Sequence, residues 1–154
     1  QMSDEYRLIS IPDTRFYHCN IKTLNLIPNV MAAQQASEAG CNETVFVRDG
    51  YVTECSHSNI SMVKDGVFIT HPLDNLILPG TERKHIIRWC GELGIPVKER
   101  AFTLEELYTA DEILVTSTSH PSMRAMELNQ KAVGMKNPEL IQKLRDKYLN
   151  EIGK

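Results

Sequence analysis

Apolar and polar residues alternate along four short segments of the chain, and an Asp-Gly pair joins the segments two by two. The pairs of segments are residues 44–48 with 51–54, around Asp49-Gly50, and residues 59–64 with 67–70, around Asp65-Gly66. A period of two is typical of strands with one buried face. Asp-Gly favours the tight turn between two strands because both turn positions adopt positive φ. The pattern therefore predicts two β-hairpins.

Helices are indicated by residues that begin and end them and by apolar residues three or four positions apart. Pro28 and Gly40 flank a predicted helix, since proline suits a first helical turn and glycine an exit. Thr103 and Glu106 have the spacing of a capping box, which starts a short helix. The first of these helices is predicted over residues 28–39, and two more are predicted over residues 81–93 and 138–151.

Further apolar segments predict strands between these helices and hairpins. They cover residues 7–10, 14–19, 96–102, 113–117 and 123–128. Strands and helices interleave without repeats, low-complexity segments or a linker. We therefore expect residues 1–154 to form a single domain of mixed α/β class with antiparallel hairpins.

Composition narrows the range of functions. The 154 residues carry a net charge of −3, with 42% apolar and 24% charged residues. These fractions are ordinary for a globular protein with a sizeable core. No basic stripe follows a predicted helix, so nucleic acid is not an expected partner. No apolar segment approaches the roughly 20 residues that cross a bilayer, so a membrane is not expected either.

The four cysteines, at positions 19, 41, 55 and 90, lack the Cys-x-x-Cys spacing of zinc or redox sites. The five histidines show no metal-ligand spacing, so no metal is expected. Scattered free thiols are typical of a reducing compartment, which predicts a cytoplasmic location.

Lys22 is the most informative single residue, because it lies among apolar neighbours just before a predicted helix. Burial disfavours the charged ammonium form, and the neutral amine attacks carbonyl groups to form Schiff bases. The alternative interpretation is a surface lysine whose stem covers apolar side chains.

Three downstream features change that interpretation. Glu54 ends a predicted strand, Leu78-Pro79-Gly80-Thr81 opens a predicted helix, and Thr116-Ser117-Thr118-Ser119 supplies hydroxyls at another strand end. The first N–H groups of a helix can bind a phosphate. A lysine amine, a carboxylate and a phosphate site are the groups that pyridoxal phosphate requires.

In order and spacing, the chain from about Arg7 to Lys154 resembles the fold-type IV pyridoxal-phosphate enzymes. That family includes D-amino acid and branched-chain aminotransferases and aminodeoxychorismate lyases. The matching segments are Ile21-Lys22-Thr23-Leu24-Asn25, Gly40-Cys41, Val52-Thr53-Glu54, Ser58-Asn59, Lys64-Asp65-Gly66, Leu76-Ile77-Leu78-Pro79-Gly80 and Val115-Thr116-Ser117-Thr118. Residues 20–26 and 38–41 are most similar to the D-amino acid aminotransferases.

The resemblance implies a role for particular residues. Lys22 would be the Schiff-base lysine and the base that moves the substrate's proton, and Glu54 would pair with the pyridine nitrogen. Leu78 would pack under the cofactor ring, and Arg15 would lie near the cofactor. The remaining implied cofactor-binding residues, most of them around the phosphate, are Ser56, Gly80, Thr81, Glu82, Ser117 and Thr118.

The resemblance also implies the reaction and the organisation of the whole protein. The reaction would be transamination between a D-amino acid such as D-alanine and a 2-oxo acid. The chain would be the carboxyl-terminal cofactor-binding domain of a homodimeric enzyme, with the family's smaller amino-terminal domain outside it. Alone, such a domain would have little or no turnover.

Several alternatives remain open at the level of sequence. A branched-chain aminotransferase or an aminodeoxychorismate lyase would use the same lysine and glutamate. Cys55 and His57 have the spacing of a thiol–imidazole pair on one strand face. Glu82, which stands where many relatives have threonine, would repel a phosphate and so favours a non-catalytic domain.

Overall fold

A computed structural model of the chain describes residues 2–13, 27–55, 58–72, 81–116 and 122–151. In those ranges the chain forms ten strands and four helices. The strands are β1 Met2–Pro12, β2 Glu43–Arg48, β3 Tyr51–Cys55, β4 Asn59–Lys64, β5 Val67–Thr70, β6 Val97–Glu99, β7 Phe102–Thr103, β8 Glu112–Thr116, β9 Ser122–Leu128 and β10 Lys131–Ala132. The helices are α1 Ile27–Glu38, α2 Thr81–Leu93, α3 Leu104–Tyr108 and α4 Pro138–Glu151.

Both predicted hairpins are confirmed. β2 pairs with β3, and β4 pairs with β5, each in antiparallel register. Asp49 and Gly50 have φ values of 54° and 82°, and the Asp65-Gly66 turn repeats this geometry. These turns form because the short polar side chain of aspartate tolerates the left-handed region and glycine adopts it freely.

The predicted helices are also confirmed, within a residue or two at their ends. At α3 the hydroxyl of Thr103 accepts from the Glu106 N–H, and the Glu106 carboxylate accepts from the Thr103 N–H, each at 3.1 Å. Both contacts belong to the capping box that the sequence predicted.

The single strand expected over residues 96–102 is wrong. The chain there forms β6 and β7, which pair with different strands: β6 runs parallel to β5, and β7 runs antiparallel to β3. An apolar pattern in sequence does not specify which partner a strand finds, so it concealed the break. β10 was not predicted, and the strand expected over 14–19 lies outside the described residues.

The strand order is β6-β5-β4-β8-β9-β1-β2-β3-β7, with β10 paired to β9. β6 and β7 are thus at opposite ends of the order, yet only residues 100 and 101 separate them in the chain. Such a short connection spans about 11 Å. The two ends of the sheet must therefore approach each other, and the sheet curls.

The curled sheet has an apolar core on each face. The inner core includes Leu8, Val45, Val52, Cys55, Ile60, Met62, Phe102, Ile113 and Val115. The outer core, between the sheet and helices α2 and α4, includes Val63, Phe68, Leu114, Ile86, Trp89, Leu140 and Leu144. Alternate residues of β4 and β8 face the two cores, as the period of two predicts.

The expectations for the cysteines and for membrane-spanning segments can be compared with the described residues. Cys41, Cys55 and Cys90 are free thiols, as predicted, whereas Cys19 lies outside the described ranges. Among the helices that the structure describes, none is long and apolar enough to span a bilayer.

Candidate functional site

The predicted site residues fall into two groups. Glu54 lies near the carboxyl end of β3, and Thr81 and Glu82 form the first two residues of α2. The others lie outside the described residues, so their predicted roles stay predictions: Arg15, Lys22, Ser56, Leu78, Gly80, Ser117 and Thr118.

Glu54 is buried, with 6% of its surface exposed. Its Oε2 atom lies 3.4 Å from Nδ2 of Asn59, the first residue of β4. Asn59 is itself buried, so the contact joins two polar side chains away from water. Glu54 is therefore not a solvent-facing acid, although charged residues at the end of a hairpin are usually exposed.

A second buried acid, Glu43, binds the residue that directly precedes β4. Glu43 accepts from the Ser58 hydroxyl at 3.0 Å and from the Thr44 N–H at 2.8 Å. Burial, together with the nearby Glu43 carboxylate, raises the pKa of Tyr6 above its ordinary value. The Glu43 carboxylate, at the start of β2, therefore anchors Ser58, the residue that precedes β4.

Register places further strand ends at the same edge of the sheet. Asn59 pairs with Thr116, the last residue of β8, whose side chain is also buried. Ser61 pairs with Thr70, the last residue of β5, and their hydroxyls lie 2.9 Å apart. The ends of β3, β5 and β8 and the start of β4 therefore share one edge.

Hydrogen bonds of Arg83 connect the first turn of α2 to this edge of the sheet. It is 3% exposed, and its Nη2 atom donates to the His71 carbonyl at 2.9 Å. The same atom lies 2.8 Å from Oε1 of Glu99 in β6. Because His71 directly follows β5, Arg83 attaches the amino-terminal turn of α2 to the edge at which β5 ends.

Sequence reasoning missed some of the residues that build this edge. Asn59 was recognised only as part of a matching segment, and Arg83 was not singled out. Asn59 and Ser61 alternate with apolar Ile60 and Met62 on a strand whose two faces are both buried. Polar residues on a buried face were the signal that could have identified Asn59.

The arrangement suits a ligand that carries charges of both signs. A buried carboxylate is stabilised by a cationic or hydrogen-bond-donating partner. The first turn of α2 presents backbone N–H groups without helical acceptors, which attract an anion. The edge therefore offers an acceptor for a protonated group at Glu54 and donors for an anion at Thr81.

Comparison with protein families matches residues 4–128 to the family described as amino-transferase class IV. Among curated proteins, a D-alanine aminotransferase from Listeria monocytogenes serotype 4b is 42% identical over 147 residues, covering 94% of this chain and 50% of the relative. A D-alanine aminotransferase from Bacillus licheniformis is 37% identical over 151 residues, covering 95% and 53%.

Solved structures confirm the fold that the resemblance implied. A putative 4-amino-4-deoxychorismate lyase from Legionella pneumophila superposes with a TM-score of 0.88 at 25% identity, covering 97% of this chain and 56% of that one. The T.th. branched-chain amino acid aminotransferase complexed with N-(5'-phosphopyridoxyl)-L-glutamate gives a TM-score of 0.83 at 27% identity, covering 94% and 51%. The chain spans about half the length of the curated relatives it matches.

Proposed function

Because the chain belongs to the class IV aminotransferase family, we propose that it forms the cofactor-binding part of a D-amino acid aminotransferase. The enzyme would move an amino group from D-alanine or a similar donor to a 2-oxo acid. The observation that carries this proposal is the 42% identity to a D-alanine aminotransferase over 147 residues. The burial of Glu54, at the edge of the sheet to which Arg83 of α2 is attached, is compatible with it.

The family depends on pyridoxal phosphate. When bound, this cofactor supplies an electron sink for the charge that develops on the substrate's α-carbon. In our proposal Glu54 holds a proton on the pyridine nitrogen, since a nearby carboxylate favours the charged form of a basic group. Asn59, 3.4 Å from the Glu54 carboxylate, orients it.

Lys22 would bind the cofactor covalently and then move the proton at the substrate's α-carbon. A lysine amine can do both, provided that its surroundings lower its pKa enough to leave it neutral. Leu78 would pack against one face of the ring, and Arg15 and Ser56 would line the site. These four assignments come from the resemblance.

The phosphate would lie at the first turn of α2, bound by Gly80, Thr81 and the backbone amide of Glu82, with Ser117 and Thr118 on its other side. The attachment of Arg83 to the His71 carbonyl supports this assignment, because it holds the helix start at the edge that carries Glu54. Glu82 would contribute only its backbone amide, because its negative charge would repel the phosphate.

The whole protein would be a homodimer in the cytoplasm, with a small amino-terminal domain that completes the substrate site. Without that part the site is more open to water, and substrates are less well oriented for reaction. We therefore expect the 154-residue chain alone to bind the cofactor weakly and to turn over little substrate.

Covalent labelling tests the cofactor site. Pyridoxal phosphate is added to the full-length protein, the mixture is reduced with borohydride, and the modified peptide is identified by mass spectrometry. We expect the label on Lys22 and a loss of labelling in Lys22→Ala. Absence of a label, or equal labelling of Lys22→Ala, would refute the proposed site. Lys136, whose segment is distant in sequence and exposed, gives the control variant Lys136→Ala.

Donor stereochemistry tests the substrate class. The full-length protein is incubated with 2-oxoglutarate and D-alanine, L-alanine or L-leucine, and separately with aminodeoxychorismate, and the amino-acid product or released pyruvate is measured. We expect turnover with D-alanine. Turnover with L-leucine alone would instead identify a branched-chain aminotransferase, and release of pyruvate from aminodeoxychorismate would identify a lyase. Labelling without turnover of any of these donors would favour the non-catalytic alternative.

A further inference from the structure

An irregularity in β3 determines where Glu54 points. Between paired positions, β2 has one residue, Phe46, whereas β3 has two, Thr53 and Glu54. Such an extra residue is a β-bulge, and bulges re-aim the side chains next to them. Val52 and Cys55 both pack in the inner core although three positions separate them. A regular strand would have placed position 54, not position 55, on the face of Val52.

The bulge therefore turns Glu54 away from the inner core. In β4, Ile60 and Met62 face that core, so Asn59 faces the other side of the sheet. The Glu54 carboxylate lies within 3.4 Å of the Asn59 amide. Without the extra residue, the carboxylate would enter the apolar inner core, where burial of a charge is costly.

A buried hydrogen bond fixes the bulge. Thr53 is 1% exposed, and its hydroxyl donates to Oδ2 of Asp13 at 2.9 Å. The Phe46 carbonyl lies 3.3 Å from the same hydroxyl oxygen. Asp13 is in turn held by two groups of β2: its N–H donates to the Val47 carbonyl at 2.7 Å, and its Oδ1 accepts from Arg48 at 3.0 Å.

We propose that Thr53 and Asp13 are positioning residues for Glu54: their hydrogen bond holds the β3 bulge, and the bulge aims the carboxylate at the site. The inference rests on the proposed function only for the role of Glu54 toward the cofactor. The direction of the Glu54 side chain is a property of the chain itself. It can be measured without the cofactor.

The test compares hydroxyl loss at Thr53 with hydroxyl loss elsewhere. Thr53→Val removes the donor and keeps the shape, whereas Thr53→Ser restores the donor. Asp13→Asn leaves one acceptor oxygen for the two donors, Thr53 and Arg48. The matched control is Thr44→Val in β2, because the Thr44 hydroxyl is fully buried and donates to the Ala32 carbonyl at 2.6 Å, in contact with α1 rather than Glu54.

The first readout is hydrogen exchange of the Asn59 side-chain amide, followed by NMR in the 154-residue chain without cofactor. We expect exchange to be about three- to tenfold faster in Thr53→Val, the effect of one hydrogen bond. Asp13→Asn should also accelerate exchange of the Asn59 side-chain amide. Thr53→Ser and Thr44→Val should retain the wild-type rate, even if Thr44→Val lowers the melting temperature.

The second readout is the ¹⁵N chemical shift of ring-labelled pyridoxal phosphate bound to the full-length protein. The shift reports the proton on the ring nitrogen, and Glu54→Gln gives its value without the carboxylate. We expect Thr53→Val to move toward the Glu54→Gln value and Thr53→Ser to match wild type.

The outcomes separate the two proposals. If the wild-type protein takes up no cofactor, the proposed function fails, and Asn59 exchange alone decides the positioning role. Wild-type Asn59 exchange in both Thr53→Val and Asp13→Asn would overturn that role. It would also be overturned if Thr44→Val accelerated exchange as much as Thr53→Val. If Thr53→Val does not fold, Asp13→Asn decides between these outcomes by the same readout.

Discussion

At the scale of single residues, a deeply buried ion pair lies away from the candidate site. Glu112 is fully buried and Arg124 is 7% exposed. Two hydrogen bonds, of 2.9 and 2.6 Å, join the guanidinium to the carboxylate. The carboxylate also accepts from the Asn137 N–H at 2.8 Å, just before α4. The pair therefore links β8, β9 and the start of α4.

We predict that Arg124→Met lowers the free energy of unfolding by about 3–5 kcal/mol, because it leaves the Glu112 charge buried without its guanidinium partner. The measurement is urea unfolding. Arg100→Met serves as the control, since Arg100 and Glu106 form an exposed pair at 2.8 Å. Such pairs contribute about 0.2–1 kcal/mol. Equal losses in the two variants would contradict the prediction.

Residues of the candidate site differ in how far the sequence predicted them. Glu54 was identified from its matching segment, and its burial was not. The Asn59 contact and the roles of Thr53 and Asp13 depend on a bulge, which local residue types do not specify. An extra residue in one strand becomes visible only when the register with the partner strand is known.

At the scale of elements, a carboxylate in the last turn of α4 binds two residues of α2. Glu151 pairs with Arg88 at 2.8 Å and accepts from the indole N–H of Trp89. The Arg88 hydrogen bond, followed by that of Trp89, lowers the pKa of Glu151 from 4.5 to about 2. Because the pKa of Glu151 is lower in the folded state, the ionised carboxylate stabilises the folded state at pH values above 4.5. This stabilisation is lost as the pH falls from 4.5 toward 2.

We predict that the contact between α2 and α4 loosens as the pH falls from 4.5 to 2, because Glu151 then becomes protonated. Trp89 is the only tryptophan in the sequence, so its fluorescence reports on this contact. Glu151→Gln should lack this pH-dependent component, whereas Glu139→Gln, at an exposed position in the first turn of α4, should retain it. Identical fluorescence profiles for wild type and Glu151→Gln would refute the prediction.

At the scale of the whole molecule, the curl of the sheet depends on the short segment that carries β6 and β7. Arg100, between these two strands, donates its N–H to the Thr70 carbonyl at 2.9 Å. Phe102 pairs with Val52 of β3 and is fully buried in the inner core. One segment therefore joins the hairpin that carries Glu54 to the strand that precedes the start of α2.

We predict that Phe102→Ala lowers the free energy of unfolding by about 3–5 kcal/mol, the usual cost of removing a buried phenyl ring. It should also accelerate amide exchange in β3, because β7 loses its anchor. Phe68→Ala is the matched control: Phe68 is equally buried, but in the outer core. Phe68→Ala should lower the free energy of unfolding by a similar amount without selectively accelerating amide exchange in β3. Equal β3 exchange in both variants would disprove the link.

The sequence by itself determined the local structure of this protein and identified the family to which it belongs. Hairpin turns, helix ends and the capping box follow from backbone preferences of a few neighbouring residues, such as the positive φ of Asp49 and Gly50. Tertiary structure alone decided the division of residues 96–102 into two strands, the bulge that turns Glu54, and the approach of α2 to the same sheet edge. These depend on contacts between residues far apart in the chain, whose pairing no local pattern encodes.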